Sequence, residues 1–413
     1  VTADDVARLE RLSVLIVSWN GRRHLEDCLP ALLAERAEAG CEVEVLVLDN
    51  GSADGTAAWL AERHPEVVAV RSPDNVGFAA GNNRLAEAAT GDVLVLLNND
   101  TRPEPGFLSA YARAWERAPS DVGAIAGRLV DWEGLRLDFG RGVATFDGHA
   151  FALDQGRPLA AARCPEDGEE LLFACGGNLS VRRRSFLEAG GFDESYFAYF
   201  EDVDLGWRLW AGGERIVAAP RASARHRSAA SSDRLGEFRR GALFERNALL
   251  TVAKNAEDGF REQLLPVVLL TFLARLRAMG PPIPPAGRLA GARSALAARL
   301  RRWLDRLDPT GAAGARLGHP QAAAQLGGLG GFLDALGPLE SERRRLARRR
   351  RRPDREIFER FPMWIVPTYP GDEELFASPE FEAWLPRGLE YVRATLDEVI
   401  LRRDRRPGRG ASR

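Results

Sequence analysis

The segment EVLVLDNGSADGT, residues 44–56, decides the fold class: a short, almost unbroken apolar run, a polar turn rich in Gly and Asp, then the start of a helix. A strand that is apolar on both faces must be covered on both faces, which is the condition of a parallel sheet wrapped by helices. Working outward, SVLIV (Ser13–Val17), VVAV (Val67–Val70) and VLVLL (Val93–Leu97) repeat the run, and Glu44–Leu48 makes the fourth. Helical spacing fills His24–Glu38, Thr56–Arg63 and Gly81–Ala89 between them. This βαβα alternation predicts an α/β fold with an open, mostly parallel, doubly wound sheet. Ligands of such sheets bind beyond the carboxyl ends of the strands. The strand tails Ser18-Trp19-Asn20, Asp49-Asn50-Gly51-Ser52 and Asn98-Asn99-Asp100 are therefore where a site is expected.

The chain has 413 residues, 45% hydrophobic and 28% charged, which excludes collagen, a fully disordered chain and a disulfide-stapled mini-protein. Its net charge of −2 conceals a split: 29 basic and 39 acidic residues up to Asn255, against 28 basic and 20 acidic from Ala256 onward. A split of this kind points to an anionic partner. Lysine occurs once, at Lys254, which reads first as coding bias. Cys28, Cys41, Cys164 and Cys175 show no CxxC spacing, so reduced thiols are expected rather than a zinc site or disulfides. VTADDVARLE lacks the basic and apolar regions of a signal peptide. The longest apolar run, Leu264 to Ala274, is too short to span a bilayer and is interrupted by Pro266. The expected location is the cytosol, free or peripheral to a membrane.

The texture changes after Asn255, which suggests a catalytic part over residues 1–255 and a mainly helical, basic module over 256–413. Pro281 to Pro285 reads as a rigid break, and Leu289, Leu296, Leu300, Leu304 and Leu307 recur at helical spacing. The Gly- and Ala-rich stretch 308–338 reads as loop, and Arg343 to Arg352 is a dense cationic run.

Chemistry concentrates in four places. Asp49 can accept hydrogen bonds from a nucleobase imide or a ribose hydroxyl, and Gly51 and Gly55 would let backbone approach a ligand. In NVGFAAGNN (residues 75–83), Asn82 is a side chain able to read a base or sugar; no GxGxxG or Walker lysine supports a dinucleotide or ATP cradle. Asn98-Asn99-Asp100 offers a hard oxygen to Mg²⁺ or Mn²⁺. Tyr199 to Arg208 places Glu201, Asp202 and Asp204 among aromatics, where apolar neighbours and like charge raise a carboxyl pKa towards that of a general base. Each piece alone also reads as a turn or an acid-rich helix start.

Taken in order, SVLIVSWNGRRHLEDCLPAL, VLDNGSADGT, NVGFAAGNN, LLNND, GGFDESYFAYFEDVDLGWRL and the later His226 resemble the inverting family-2 glycosyltransferases of the GT-A fold, most closely the branch of bacterial rhamnosyltransferases. The resemblance covers roughly residues 12–255. It implies that Asp49 and Asn50 bind the nucleoside, that Asp100 and His226 hold Mg²⁺ or Mn²⁺, and that Asp202 is the catalytic base, with Glu201 orienting a substrate or loop. Ser18, Asn20, Asn82, Asn98 and Asn99 join the donor site, and Gly176 and Gly177 line the sugar pocket. One departure stands out: the first acid of the family's DxD is Asn98 here, which removes a charge but leaves Asp100 in place.

The function this implies is inverting sugar transfer from a dTDP- or UDP-sugar to a glycan or lipid-linked acceptor. A sugar-1-phosphate nucleotidyltransferase would want a Gly-rich loop with a basic residue, which LIVSWNG lacks. A non-catalytic nucleotide-sugar scaffold would not need Asp100, Asp202 and His226 together. No nucleic-acid partner is expected, and self-association stays open. Two readings of Arg343–Arg352 also stay open: contact with an anionic membrane or lipid diphosphate, or packing on the acidic first part.

Overall fold

The computed structural model describes residues 9–227, 236–279 and 320–401. The proline break and the leucine series at 289–307 lie outside the described residues. The core is one mixed sheet. Its first strands are β1 (Arg11–Ser18), β2 (Glu42–Asn50), β3 (Val68–Ser72) and β4 (Val93–Leu97), with α1 (Arg22–Ala34), α2 (Thr56–Arg63) and α3 (Gly77–Ala88) between them. These four strands run parallel in the order β3-β2-β1-β4, and Ser18 lies level with Asp49 at their carboxyl ends. Burial explains the unbroken apolar runs: Val14, Leu15, Ile16, Leu46, Val47, Leu94 and Val95 are all sealed from solvent.

The parallel order stops at β4. The chain adds β5 (Thr101–Pro103), α4 (Phe107–Arg117), β6 (Val122–Asp131), β7 (Leu137–Phe139), β8 (Gly142–Ala144), β9 (Ala150–Ala152), β10 (Asn178–Arg182), α5 (Arg183–Ala189), α6 (Glu201–Ala211) and β11 (Arg215–His226). β10 inserts antiparallel between β4 and β6, β11 follows parallel to β6, and β5 closes the edge antiparallel to β11. The expected α/β sheet is present, and its second half is mixed. One consequence matters for chemistry: β5 begins directly after Asp100, and its pairing sets Thr101 level with His226.

Two long helices follow, α7 (Glu237–Asn255) and α8 (Asp258–Met279). Pro266 does not interrupt α8: the helix continues through it, with Pro266 exposed and Leu264, Val267, Val268 and Phe272 buried on the opposite side. No described helix is long and apolar enough to cross a membrane. The Gly/Ala-rich stretch departs from its expected loop: residues Pro320–Asp334 form a helix. Its small residues are a packing surface for α7. A Cβ on Gly328 would lie 2.6 Å from that of Glu245, and one on Gly241 would lie 2.8 Å from that of Ala324. Packing of this closeness outweighs glycine's poor helix propensity.

The arginine run settles largely against the protein. In the helix Leu336–Arg349, Arg343 is buried and donates to the carbonyls of Ala253 (2.7 Å) and Ala256 (2.8 Å). Beyond it, Arg350 donates to Asp354 and to the Asn255 carbonyl, and Arg352 caps the Trp210 carbonyl at 2.9 Å. Arg344, Arg348 and Arg349 stay exposed.

The single lysine is structural. Lys254 reaches Asp204 at 2.6 Å and Asp193 at 2.7 Å, and Asp204 also receives Arg208 at 2.7 Å and Asn255 at 2.8 Å. Burial alone would raise the Asp204 pKa; the two cations outweigh it and hold the carboxyl below its usual value. The cluster ties α6 to α7. Asp204→Asn takes the counter-charge from Arg208 and leaves Lys254 with Asp193 alone, and is expected to cost about 3–5 kcal/mol in urea unfolding. Because the folded pKa is depressed, this contribution is present above the unfolded pKa and is lost as pH falls through the folded one.

Candidate active site

A cavity of about 400 Å³ opens at the carboxyl ends of β1, β2 and β4. It is lined by the polar residues Asn98, Asn99, Asp100 and His226, by Gly176, Gly177, Glu201 and Asp202, and, at its rim, by Asn50, Asn75 and Gly77. The far wall is apolar, with Phe139, Phe151, Phe173, Phe200 and Phe244. Nine of the residues singled out from sequence meet here.

The carboxyl pair is set at the first turn of α6. The preceding loop enters the helix through three non-glycine residues in the left-handed region, Phe197 (φ 63°), Tyr199 (φ 71°) and Phe200 (φ 68°). Such residues cost on the order of 1–3 kcal/mol each and persist only where surroundings over-determine them. Asn247, fully buried on α7, supplies that constraint, donating to the carbonyls of Tyr196 (3.1 Å), Ala198 (2.9 Å) and Tyr199 (2.8 Å). From the other side, the amide of Phe78 donates to the Phe197 carbonyl at 2.7 Å. Gly77 (φ +88°) allows this approach, since a Cβ there would meet that carbonyl at 2.5 Å.

Glu201 and Asp202 then diverge chemically. Burial raises both pKa values, and that of Glu201 the more, because the Asp202 charge lies beside it. Asp202 accepts amides from Gly176 (2.9 Å) and Val203 (2.8 Å), which favour its ionised form. Glu201 Oε2 is buried with no hydrogen-bond partner among the described residues. Adjacent buried carboxyls do not both ionise readily, so Glu201 holds its proton the more firmly and Asp202 is the easier of the two to ionise.

Across the cavity, His226 Nε2 stands 3.3 Å from Asp100 Oδ1 and 3.3 Å from Asn98 Nδ2. Burial would lower the His226 pKa, but hydrogen bonds to Asp100 and Asp138 lift it to about 10. Burial likewise raises Asp100, and His226 more than reverses this. Among the described residues no group of three or more His, Cys, Asp or Glu could enclose a metal ion. A carboxylate and an imidazole facing each other do fit a hard divalent cation that takes its remaining ligands from phosphate and water.

Four expected residues stand off the cavity wall. Ser18 is buried and accepts from Asn99 Nδ2 at 3.0 Å. Asn20 (φ 50°) donates its amide to Ser52 and accepts from the Ala53 amide, joining the β1 and β2 tails. Asp49 accepts the Ser52 amide at 3.0 Å, beside the rim residue Asn50, and Asn82 donates back to the Phe78 carbonyl within α3. Asn50 reaches the rim but spends its side chain on Asn75, Val76 and Gly77, shaping that loop. Sequence reasoning missed the apolar wall, Asn247 and Asp138. An isolated acid between Leu137 and Phe139 was the one available signal.

The clamp gives a test. Asn247→Ala removes one donor from each of the Tyr196, Ala198 and Tyr199 carbonyls, of which that of Tyr196 keeps Arg246, and is expected to cost about 1–3 kcal/mol. Hydrogen exchange should accelerate over residues 196–203 and leave the β1–β4 amides unchanged.

Comparison with known proteins identifies the family. Residues 13–189 match the family model for glycosyl transferase family 2. The chain is 31% identical over 243 residues to N-acetylglucosaminyl-diphospho-decaprenol L-rhamnosyltransferase of Mycobacterium tuberculosis, covering 54% of this chain and 78% of that protein. It is 31% identical over 229 residues to the O-antigen biosynthesis protein RfbC of Myxococcus xanthus, covering 54% of this chain and 18% of that one. Among solved structures, mannosyltransferase PcManGT from Pyrobaculum calidifontis, in complex with GDP-Man and Mn²⁺, aligns over 80% of this chain and 89% of that chain at 19% identity and a TM-score of 0.44. The chain belongs to glycosyl transferase family 2, on the branch of the bacterial rhamnosyltransferases.

Proposed function

We propose that the protein transfers a sugar, with rhamnose the first to test, from a nucleoside-diphosphate donor to an acceptor hydroxyl with inversion at the anomeric carbon. The observation that carries the reading is one cavity lined both by the Glu201–Asp202 carboxyl pair and by the Asp100–His226 pair. Asp202 takes the proton from the acceptor hydroxyl, which attacks from the face opposite the leaving diphosphate. Protonated Glu201, unable to act as a second base, donates a hydrogen bond to a substrate oxygen. Gly176 and Gly177 let the sugar approach backbone, and Asn98 and Asn99 line the path between sugar and diphosphate. Asp100 and His226 would hold Mg²⁺ or Mn²⁺, which supplies charge neutralisation to the departing diphosphate. Ser18, Asn20, Asp49 and Asn82 act behind the wall, by holding the strand tails and α3 in place.

The acceptor proposed is a lipid-linked glycan, in line with the mycobacterial relative's name, and the apolar far wall suits an amphipathic molecule. The described part of the basic module, residues 256–279 and 320–401, then packs against the catalytic part, with Arg344, Arg348 and Arg349 left to face an anionic surface.

Asp202→Asn is expected to remove turnover, by at least about 10²-fold, while titration calorimetry finds donor binding within a few-fold of the parent. Loss of binding and turnover together would move Asp202 to donor recognition. The pH dependence follows from the same group: the base must be ionised, and burial raises its pKa. The acid limb of kcat/KM should therefore lie above the ordinary Asp range, near ~4, with activity lost as pH falls through it. A panel of dTDP-, UDP- and GDP-sugars, assayed for Mn²⁺-dependent hydrolysis, identifies the donor; activity undiminished by EDTA would contradict the cation's role.

A further inference from the structure

Asp138 is not among the residues that line the cavity and was not selected from the sequence, yet it pairs with His226. It sits in β7 where pairing with β6 slips: Leu129 faces Phe139 and Val130 faces Leu137, so Asp138 is the extra residue of a bulge. Bulges re-aim side chains, and this one turns a carboxylate towards β11. Asp138 Oδ2 lies 2.6 Å from His226 Nδ1, in a pocket where Asp138 is 7% exposed. Its other oxygen, Oδ1, accepts from Gln155 Nε2 at 3.0 Å.

An ionised carboxylate only accepts hydrogen bonds. Facing Nδ1, it keeps a hydrogen on that nitrogen, so that Nε2, which faces Asp100, is the nitrogen left to give up its hydrogen to a cation. That is the orientation a cation ligand needs, and partners of this kind govern how well a histidine binds metal.

Gln155 is itself held from the far end of the chain. Its carbonyl accepts the Leu401 amide at 2.8 Å, and the Asp154 amide donates to the Val399 carbonyl at 2.7 Å. Val143, Leu153, Val366 and Val399 pack beside these bonds as a small apolar cluster separate from the main core. A continuous line of contacts thus runs from the C-terminal segment through Gln155 and Asp138 to His226.

We infer that Asp138 is a positioning residue that fixes which nitrogen of His226 faces the divalent cation, and that the segment Thr395–Leu401 holds Asp138 in place through Gln155. The inference rests on the cation reading above and adds to it a function for the C-terminal segment: it braces the metal-facing histidine.

The test uses the full chain and Mn²⁺ alone, with free ion counted by electron paramagnetic resonance. Asp138→Asn should weaken Mn²⁺ binding about 10–100-fold with the melting temperature little changed, and Gln155→Ala should weaken it by less. In the Mg²⁺-loaded protein, ¹⁵N spectra should place the His226 hydrogen on Nδ1, and Asp138→Asn should abolish that preference. A merely structural Asp138 would move the melting temperature and leave the tautomer alone. If the parent binds Mn²⁺ and Asp138→Asn binds it within twofold, the positioning role is wrong and the cation reading stands. If the parent binds no Mn²⁺, the cation reading fails and this inference falls with it. Should Asp138→Asn fail to fold, Gln155→Ala carries the same decision, with unchanged affinity overturning the inference.

Discussion

Everything at the site depends on keeping an unfavourable loop in place. Phe197, Tyr199 and Phe200 occupy backbone conformations that bulky residues avoid, and directly after them stand Glu201 and Asp202. A relaxed loop would start α6 elsewhere and aim the carboxyl pair elsewhere. Asn247 prevents this from one side by donating to three loop carbonyls, and the amide of Phe78 from the other. Below, Lys254 and Arg208 on Asp204 fasten α6 to α7, so that the helix carrying Asp202 and the helix carrying Asn247 move as one. Strain stored at a functional loop and offset by buried polar bonds nearby is a recurrent arrangement.

Charge is the second organising theme. The acidic first part would repel a diphosphate if its carboxylates were free, yet most of the buried ones are matched: Asp204 by Lys254 and Arg208, Asp100 and Asp138 by His226. A bound divalent cation inverts the local logic, allowing a carboxylate-lined cleft to hold a phosphate ester. The basic second part is matched in its turn, by carboxylates such as Asp147 and Asp372 on Arg275 and by backbone carbonyls at helix ends: Arg343 gathers those of Ala253 and Ala256, and Arg352 that of Trp210. Much of the charge split read from the sequence is thus spent inside the molecule, holding helices to the sheet.

What the sequence disclosed follows the same division. β4 and α2 lie where their patterns put them, because unbroken apolar runs and simple helical spacing are local signals. The carboxylates, Asp100 and His226 were visible since the chemistry demands those residue types. β10 and β11 escaped notice, being placed by pairing with distant strands. The helix Pro320–Asp334 was hidden by its glycines, which look like loop until α7 is known to press against them. Asn247 and Asp138 were invisible for a different reason. One acts through the docking of a helix and the other through a single-residue bulge, and neither leaves a motif. Pro266 is the converse case, a local breaker on an exposed face that the surrounding packing overrides.

The central claim is that this loop and its clamps divide two adjacent carboxyls into a neutral acid and a charged base. Carboxyl ¹³C NMR titration of Glu201 and Asp202, assigned with Glu201→Gln and Asp202→Asn, measures that division without any substrate. The account predicts Asp202 ionised and Glu201 protonated at neutral pH, with Asp202 titrating first as pH rises. Glu201 ionised beside a protonated Asp202, or both ionised with ordinary pKa values, would contradict it.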